Sequence, residues 1–340
     1  MSTTRVTIRD IAARAGVHFT TVALALRDSP RLNLRTRQRL QALAADMGYR
    51  PDPMLAALHA YRHTSRRPHY QATIAWLNNW PERDRMLDIP EFRKYRSGAH
   101  ERAAELGYLI EEFWLHERDM TPEKTRRILR ARGIQALLLA PQPRSRMWLD
   151  FDYTGFSALS LGYSLHPPRM HVVANHHAHS INLLLEELWQ LGYRRPGMYV
   201  DRNWDEKVGH NWVSGMLLSR WLHPSLACLP LVVNSEEELG IREWVRSYRP
   251  DVVISYTGNL RHLRATGLRV PEDVGFASLN VGEADDTTSG IHQNDHLIGR
   301  KAVDLLVDMV HRNERGIPET PIRTLVEGVW HPGKTLKNKG

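Results

Sequence analysis

The first fifty residues set short apolar stripes against polar faces at helical spacing. Ile8, Ile11, Ala12 and Ala15 fall on one side of a helix. Thr7 precedes that stripe and Asp10 follows three residues later. This is a capping-box pairing that satisfies free N–H groups and sets a carboxylate at the positive helix end. Gly16 supplies the left-handed residue that stops the helix. A second stripe, Val22, Ala25 and Leu26, predicts a helix over 18–26. A third, Leu40, Leu43, Ala44 and Met47, predicts a helix capped by Asn33 and closed by Gly48. Two short helices around Ala15-Gly16-Val17 form a helix-turn-helix pattern, whose second helix suits the major groove of DNA. A small three-helix bundle without a ligand is the alternative.

Pro51 then breaks the helical pattern, Asp52 is a good N-cap, and Pro53 fits the first helical position. Residues 54–61 predict two further turns, too short to be stable alone in water and so in need of a partner helix and a surface. Residues 63–69 are polar and read as a linker. Beyond them strands and helices alternate. Strands are expected over 73–77, 109–114, 136–140, 197–200, 231–233 and 252–254. Helices are expected over 93–106, 121–132, 181–191, 213–221, 236–248 and 297–311. Such alternation predicts parallel sheets covered on both faces, and two series predict two doubly wound lobes with a ligand cleft beside the strand ends.

Charge sharpens this division. The 340 residues carry a net charge of +8. Residues 1–67 hold twelve arginines, no lysine and four aspartates, while the rest of the chain balances at 34 basic and 34 acidic side chains. The whole excess therefore lies in the segment with the helix-turn-helix pattern, as a polyanionic partner requires. Cys228 is the single cysteine, so no intrachain disulfide forms, which fits a reducing compartment. No charged-then-apolar leader opens the sequence and no apolar run approaches eighteen residues, so a cytoplasmic chain that does not span a membrane is expected.

Val6-Thr7-Ile8-Arg9-Asp10-Ile11-Ala12, Ala15-Gly16-Val17, Thr21-Val22, Leu26, Ser29-Pro30, Thr36-Arg37 and Gly48-Tyr49-Arg50-Pro51 together resemble the signature of the LacI/GalR family of bacterial transcription regulators. The resemblance covers nearly the whole chain. It implies an N-terminal all-α helix-turn-helix (1–50), a hinge helix and linker (51–70) and a two-lobed α/β core like the periplasmic sugar-binding proteins (71–340). Lobe 1 is expected over about 71–170 plus 294–324, and lobe 2 over about 171–293 plus 325–334, with chain crossings near Val172, Ile291 and Thr324. It also implies a homodimer on a palindromic operator, whose hinge helices pair in the minor groove. Leu58 matches the family's leucine wedge, and Ala57 lets the two helices approach.

The departures from the family are informative. The usual serine at the start of the recognition helix is His18, a weaker cap. The base-reading positions hold Phe19, Thr20 and Leu24, none of which makes a bidentate hydrogen bond to guanine or adenine. Readout through thymine methyl groups and DNA shape is therefore expected, with Thr20 as the one polar reader; core packing is the alternative for Phe19 and Leu24. Thr7, Thr21, Arg27, Arg35, Arg37 and Arg50 complete the expected DNA-binding set, the arginines on phosphates. In the core, positions at which the family carries an Arg clamp, an Asn-Asp pair and an Asp hold Trp212, Thr257-Gly258 and Asn280. The expected cleft liners are Trp76, Asn78, Asn79, Phe92, Tyr95, Trp212, Thr257, Asn280 and Gln293. A pocket that has exchanged formal charges for rings and amides suits a neutral polyhydroxylated effector, a sugar, whose C–H faces lie on rings and whose hydroxyls bond amides.

Other signals carry less. His176 and His179, three apart on an expected helix, share a face. No carboxylate or thiolate stands at fitting spacing, so they are read as helix-start and cleft-rim residues, with no metal or cofactor expected. No acid, base or nucleophile constellation suggests an enzyme. The reading is a dimeric, effector-controlled DNA-binding regulator working by allostery, with repression expected from the family resemblance; the alternative is a cytoplasmic small-molecule binding module without gene control.

Overall fold

Thr7 begins the first helix as its spacing requires. In α1 (Ile8–Ala15) the Thr7 Oγ1 accepts from the Asp10 N–H at 3.3 Å, and the Thr7 N–H donates to Asp10 Oδ2 at 2.7 Å. Gly16 ends the helix at φ 67°, and the Val17 N–H reaches back to the Ala12 carbonyl at 3.1 Å. α2 (Phe19–Leu26) follows after the three-residue turn Gly16-Val17-His18. α3 (Leu34–Asp46) is capped by Asn33, whose Oδ1 accepts from the Thr36 N–H at 2.8 Å, and Gly48 leaves it at φ 68°. Ile11, Ala12, Val22, Ala25, Leu40 and Ala44 form the core of the three helices, with Leu26, Leu43 and Met47 packed at its rim. Gln41 of α3 donates its amide to the Ala25 carbonyl at 2.9 Å and ties the end of α2 down.

This computed structural model describes residues 6–26, 29, 32–49, 72–223, 240–283 and 285–340, and the chain divides into two units, Met1–Gln71 and Ala72–Gly340. Several expectations lie outside the described residues: Arg27 and Arg50, the segment holding Ala57 and Leu58, Cys228, and the strand at 231–233.

The second unit holds two sheets. The first runs in the order β10-β5-β4-β3-β1-β2, all neighbours parallel. Its strands are β1 (Ala72–Asn78), β2 (Tyr108–Trp114), β3 (Ala136–Leu139), β4 (Ser157–Leu161), β5 (His171–Asn175) and β10 (Arg323–Val326). α4 (Pro90–Glu105), α5 (Pro122–Ala131) and α11 (Asp295–His311) accompany them. The second sheet runs β11-β9-β8-β7-β6. It contains β6 (Pro196–Met198), β7 (Val252–Ser255), β8 (Gly275–Ser278) and β9 (Gly290–His292), with β11 (Val329–His331) antiparallel at the edge. α6 (His177–Gln190), α7 (Arg202–Lys207), α8 (Asn211–Leu222), α9 (Ile241–Tyr248) and α10 (Asn259–Arg264) belong to this half.

β1 and β3 read as near-continuous apolar runs because both faces are covered, as parallel sheets demand: Ile74, Trp76 and Leu138 pack on one side, Ala75, Leu77, Leu137 and Leu139 on the other. The chain passes from the first sheet to the second after Asn175, returns after His292, and crosses again after Val326. Two of these points fall a few residues later than expected, because β5 and β10 pair with each other (Val172 with Arg323, Asn175 with Val326) before the chain leaves the sheet. Of the helix expected over 236–248, Ile241–Tyr248 is helical after Gly240, which is extended (ψ 157°), while 236–239 lie outside the described residues. α4 and α11 cross at backbone distance. A Cβ on Gly98 would stand 2.0 Å from the His296 carbonyl oxygen, and one on Gly299 would stand 1.9 Å from that of Tyr95. Among the described residues no helix is long and apolar enough to cross a membrane.

Candidate nucleic-acid interface and interlobe cleft

Burying Val22 and Ala25 turns the opposite side of α2 outward. Phe19 is 45% exposed, Thr20 is exposed and Leu24 is half-buried, and neither Phe19 nor Leu24 belongs to the three-helix core. Among the described residues, these two side chains take no part in core packing. Thr21 is half-buried; His18 and Arg35 are exposed, and Arg37 is half-buried. The His18 ring lies 4.3 Å from the Phe19 ring, and its Nδ1 is 2.8 Å from the Thr20 hydroxyl. The hydroxyl that was expected to read a base is therefore already held by its neighbour, although an O–H that donates to nitrogen keeps its lone pairs for a second partner. Arg9, overlooked in the sequence, places its guanidinium 6.0 Å from the Phe19 ring centroid and adds a cation to this face.

In the core unit, the C-terminal ends of the strands and the helices after them meet in a cleft lined by rings. From lobe 1 come Trp80, Phe92, Tyr95 and Tyr163; from lobe 2 come His177, Trp204, Trp212 and Tyr256. Phe92 and Trp204 face each other across the lobes at 6.1 Å, and Trp204, Tyr256, Trp212 and His177 continue the chain of rings at 6.1, 5.7 and 5.4 Å. Lys207, at the end of α7, points its Nζ among Trp204, Phe92 and Trp80 at 4.5, 5.0 and 5.5 Å and donates to the Pro143 carbonyl at 3.4 Å. Burial pushes its ammonium down to about 8.

Beside the rings lies a polar cluster. Asn280 of lobe 2 donates to Glu91 Oε1 at 3.1 Å and Asp295 Oδ2 at 2.8 Å, while Asn175 donates to Asp295 Oδ1 at 2.9 Å and accepts from the Tyr95 hydroxyl. Burial raises both carboxyls, Glu91 further by the nearby Asp295, and Tyr95 remains a phenol. Ser145 donates to Glu206 at 2.8 Å and Lys94 pairs with Glu283, so polar contacts fasten the lobes at several places.

Of the expected liners, Phe92, Tyr95, Trp212 and Asn280 meet in this cleft. Asn78 and Asn79 spend their amides within lobe 1, on the Arg83 carbonyl at 2.8 Å and Gln142 Oε1 at 2.9 Å. Gln293 is buried between Ser180 and the Leu279 carbonyl, Thr257 bonds the Asn280 carbonyl, and Trp76 is wholly inside the first sheet's core. The cleft is not stripped of charge: Lys207, Glu91 and Asp295 stand in it. Sequence reading passed over them because Glu91 and Asp295 look like ordinary first-turn helix charges and Lys207 like a surface lysine. The interleaving of Trp204, Lys207 and Trp212 was the available signal. Among the described residues, Trp76 Nε1, His177 Nδ1, Trp212 Nε1 and the Tyr256 hydroxyl are buried with no hydrogen-bond partner. The last three lie in the ring chain. Burial, with His176 adding to it, drives the His177 ring down to about 3, so it is neutral at physiological pH.

Comparison with known proteins agrees in both units. A model described as bacterial regulatory proteins, lacI family, matches residues 7–52, and one described as a periplasmic binding protein-like domain matches residues 185–330. The Lac repressor dimer bound to operator and the anti-inducer ONPF is 16% identical with TM-score 0.55, covering 98% of this chain and 100% of that one. The transcriptional regulator CelR–cellobiose complex is 18% identical with TM-score 0.57, covering 97% and 100%. The regulator CCPA from Weissella paramesenteroides, with bound glucose, is 13% identical with TM-score 0.55, covering 79% and 99%. No curated protein matches by sequence.

Proposed function

This chain belongs to the LacI family of bacterial transcription regulators, and from that premise we propose a homodimeric repressor whose operator binding is set by a sugar in the interlobe cleft. The observation that carries the reading is the outward face of α2: a helix pinned by Val22 and Ala25 that presents Phe19, Thr20 and Leu24 to the outside, with Arg9 and Arg35 on the same exposed unit. On DNA, Phe19 and Leu24 contact thymine methyl groups, Thr20 supplies the polar contact, and Thr7, His18, Thr21, Arg35 and Arg37 hold phosphates, with Arg27 and Arg50 completing the set. The family resemblance adds the hinge helix, with Ala57 at the pair contact and Leu58 as the wedge.

The cleft supports a sugar on its own chemistry. Rings on both lobes offer faces to C–H bonds, and Trp212 Nε1, His177 Nδ1 and the Tyr256 hydroxyl are buried polar atoms that a ligand hydroxyl satisfies. That two structural neighbours hold cellobiose and glucose favours the same ligand class. The ligand acts by population shift: it contacts both lobes, favours one arrangement of them, and so alters the stability of the dimer on its operator.

The test is capture of fragmented genomic DNA by the full chain, with and without a panel of neutral sugars, sugar acids and sugar phosphates. Recovery of a palindromic site whose occupancy changes with a neutral sugar supports the reading. No palindromic site at moderate salt refutes the regulator, and a response confined to anionic sugars transfers the ligand to the Lys207 ammonium.

A further inference from the structure

The pair His176 and His179 lacks a third metal ligand in the sequence around it. The fold supplies one from 148 positions further on. His176 is the N-cap of α6 and lies directly after β5, at the first crossing between lobes. Glu327 lies directly after β10, at the third. Because Asn175 and Val326 are paired in the sheet, the residues that follow them emerge side by side, and the His176 N–H donates to the Val326 carbonyl at 2.8 Å. The second crossing joins them: Asn294 donates its amide to the Glu327 carbonyl at 2.8 Å.

We propose that His176, His179 and Glu327 form a binding site for a divalent transition metal ion of the zinc type. One ligand atom from each of the three lies within 4.8 Å of the others, and His176 Nδ1 is 3.8 Å from Glu327 Oε1. Ligand atoms on a tetrahedral zinc ion stand about 3.3 Å apart, given bonds of about 2 Å, so small side-chain rotations complete the set. The two rings, one helical turn apart, stack at 5.6 Å and 23°, and a ring nitrogen of each lies within 4.8 Å of the other and of a Glu327 carboxylate oxygen. Two neutral imidazoles and a carboxylate are a donor set suited to zinc, and a fourth position stays open to water. Both histidines are half-buried and the Glu327 side chain is 65% exposed, which gives an ion a way in. Backbone bonds to Val326 and Glu327 hold the ligating segments from behind, so the ion meets a largely formed site.

The location gives the site a role. An ion held there ties the first crossing to the third, where the lobes must move relative to each other, and it stabilises the arrangement described here. Any effect on repression rests on the reading of the cleft as an effector site; metal binding itself does not.

Full-length protein stripped with a chelator is titrated with Zn²⁺ by calorimetry and with Co²⁺ by visible absorption, without DNA or sugar. One equivalent of metal per chain is expected, with a raised unfolding temperature. His176→Ala and His179→Ala should each weaken binding at least about tenfold and abolish the thermal shift, and Glu327→Gln should weaken it too. Should His176→Ala disturb α6, His179→Gln and Glu327→Gln report the same loss, each first matched to wild type in chelator. Binding unchanged in these variants, weak binding spread over many histidines, or a thiolate band in the cobalt spectrum pointing to Cys228 overturns the site.

Discussion

Asn280 donates its side-chain amide to Glu91 across the cleft at 3.1 Å, and the same nitrogen bonds Asp295 at 2.8 Å. One amide thus stands between two buried carboxyls that would otherwise repel. Asn280→Leu keeps much of the volume and removes the donor. It should cost about 1–3 kcal/mol in urea unfolding of the core unit, since it leaves buried acceptors with one partner fewer.

The same cluster gives an acid-side pH dependence. Both carboxyls have folded values raised above their ordinary 4.5 and 3.8. Between those ordinary values and the raised ones the folded state binds more protons than the unfolded. The contribution is therefore full below the ordinary carboxylate range and is lost as pH rises through the raised values. Asp295→Asn should flatten this fall in a series of urea titrations from pH 4 upward, with wild type as reference. An unchanged slope would show that Asp295 does not titrate as described.

Lys207 acts on the alkaline side. Its folded value is about 8, against an ordinary 10.5. Between these values the unfolded state holds more protons, so core stability should rise with pH across that window. The rise is at most about 3–4 kcal/mol at 1.36 kcal/mol per unit, reduced by the ring faces that favour the ammonium. Lys207→Met should abolish it. A rise that survives in Lys207→Met would assign the effect elsewhere.

On DNA, Leu24→Ala and Arg35→Ala should separate two kinds of contact. The first should change sequence preference in a band-shift series. The second should weaken all sequences alike and lower the salt slope by about one. Identical behaviour of the two variants would remove the distinction between base-reading and phosphate-holding positions.

Gly299→Ala tests the close crossing of α4 and α11. The added methyl meets the Tyr95 carbonyl, so destabilisation by about 1–3 kcal/mol or more is expected in thermal unfolding, without the gain in helix propensity that alanine gives elsewhere.

The helix-turn-helix was legible because its determinants are local: Thr7 with Asp10, Gly16, Asn33 with Thr36, and three apolar stripes each act within a few residues. The alternating strands were legible where they were continuous apolar runs, as at Ile74–Leu77 and 136–139. β4 and β5 were not anticipated, because Ser157, Ser160, His171 and Asn175 interrupt the apolar pattern and find their partners far away, as when His171 bonds Glu314 at 2.7 Å. The cleft was the least legible part. Rings announce themselves by type, but whether Asn78 faces a ligand or the Arg83 carbonyl depends on a loop that no periodicity describes. Glu91, Lys207 and Asp295 acquire their character only when three distant segments enclose them.

The backbone contact at Gly98 and Gly299 also bears on the order in which the molecule can be made. Lobe 1 starts at Ala72, yet Ile298, Ala302, Val303 and Leu306 of α11 fill its core and β10 completes its sheet. During synthesis the strands and helices of lobe 2 emerge in between. The lobe begun first is therefore the lobe finished last, and a nascent chain halted before Asp295 exposes the apolar groove between α4 and the strands β3, β4 and β5 that α11 later covers. Chaperone capture, or loss to proteolysis, should concentrate in that interval of translation.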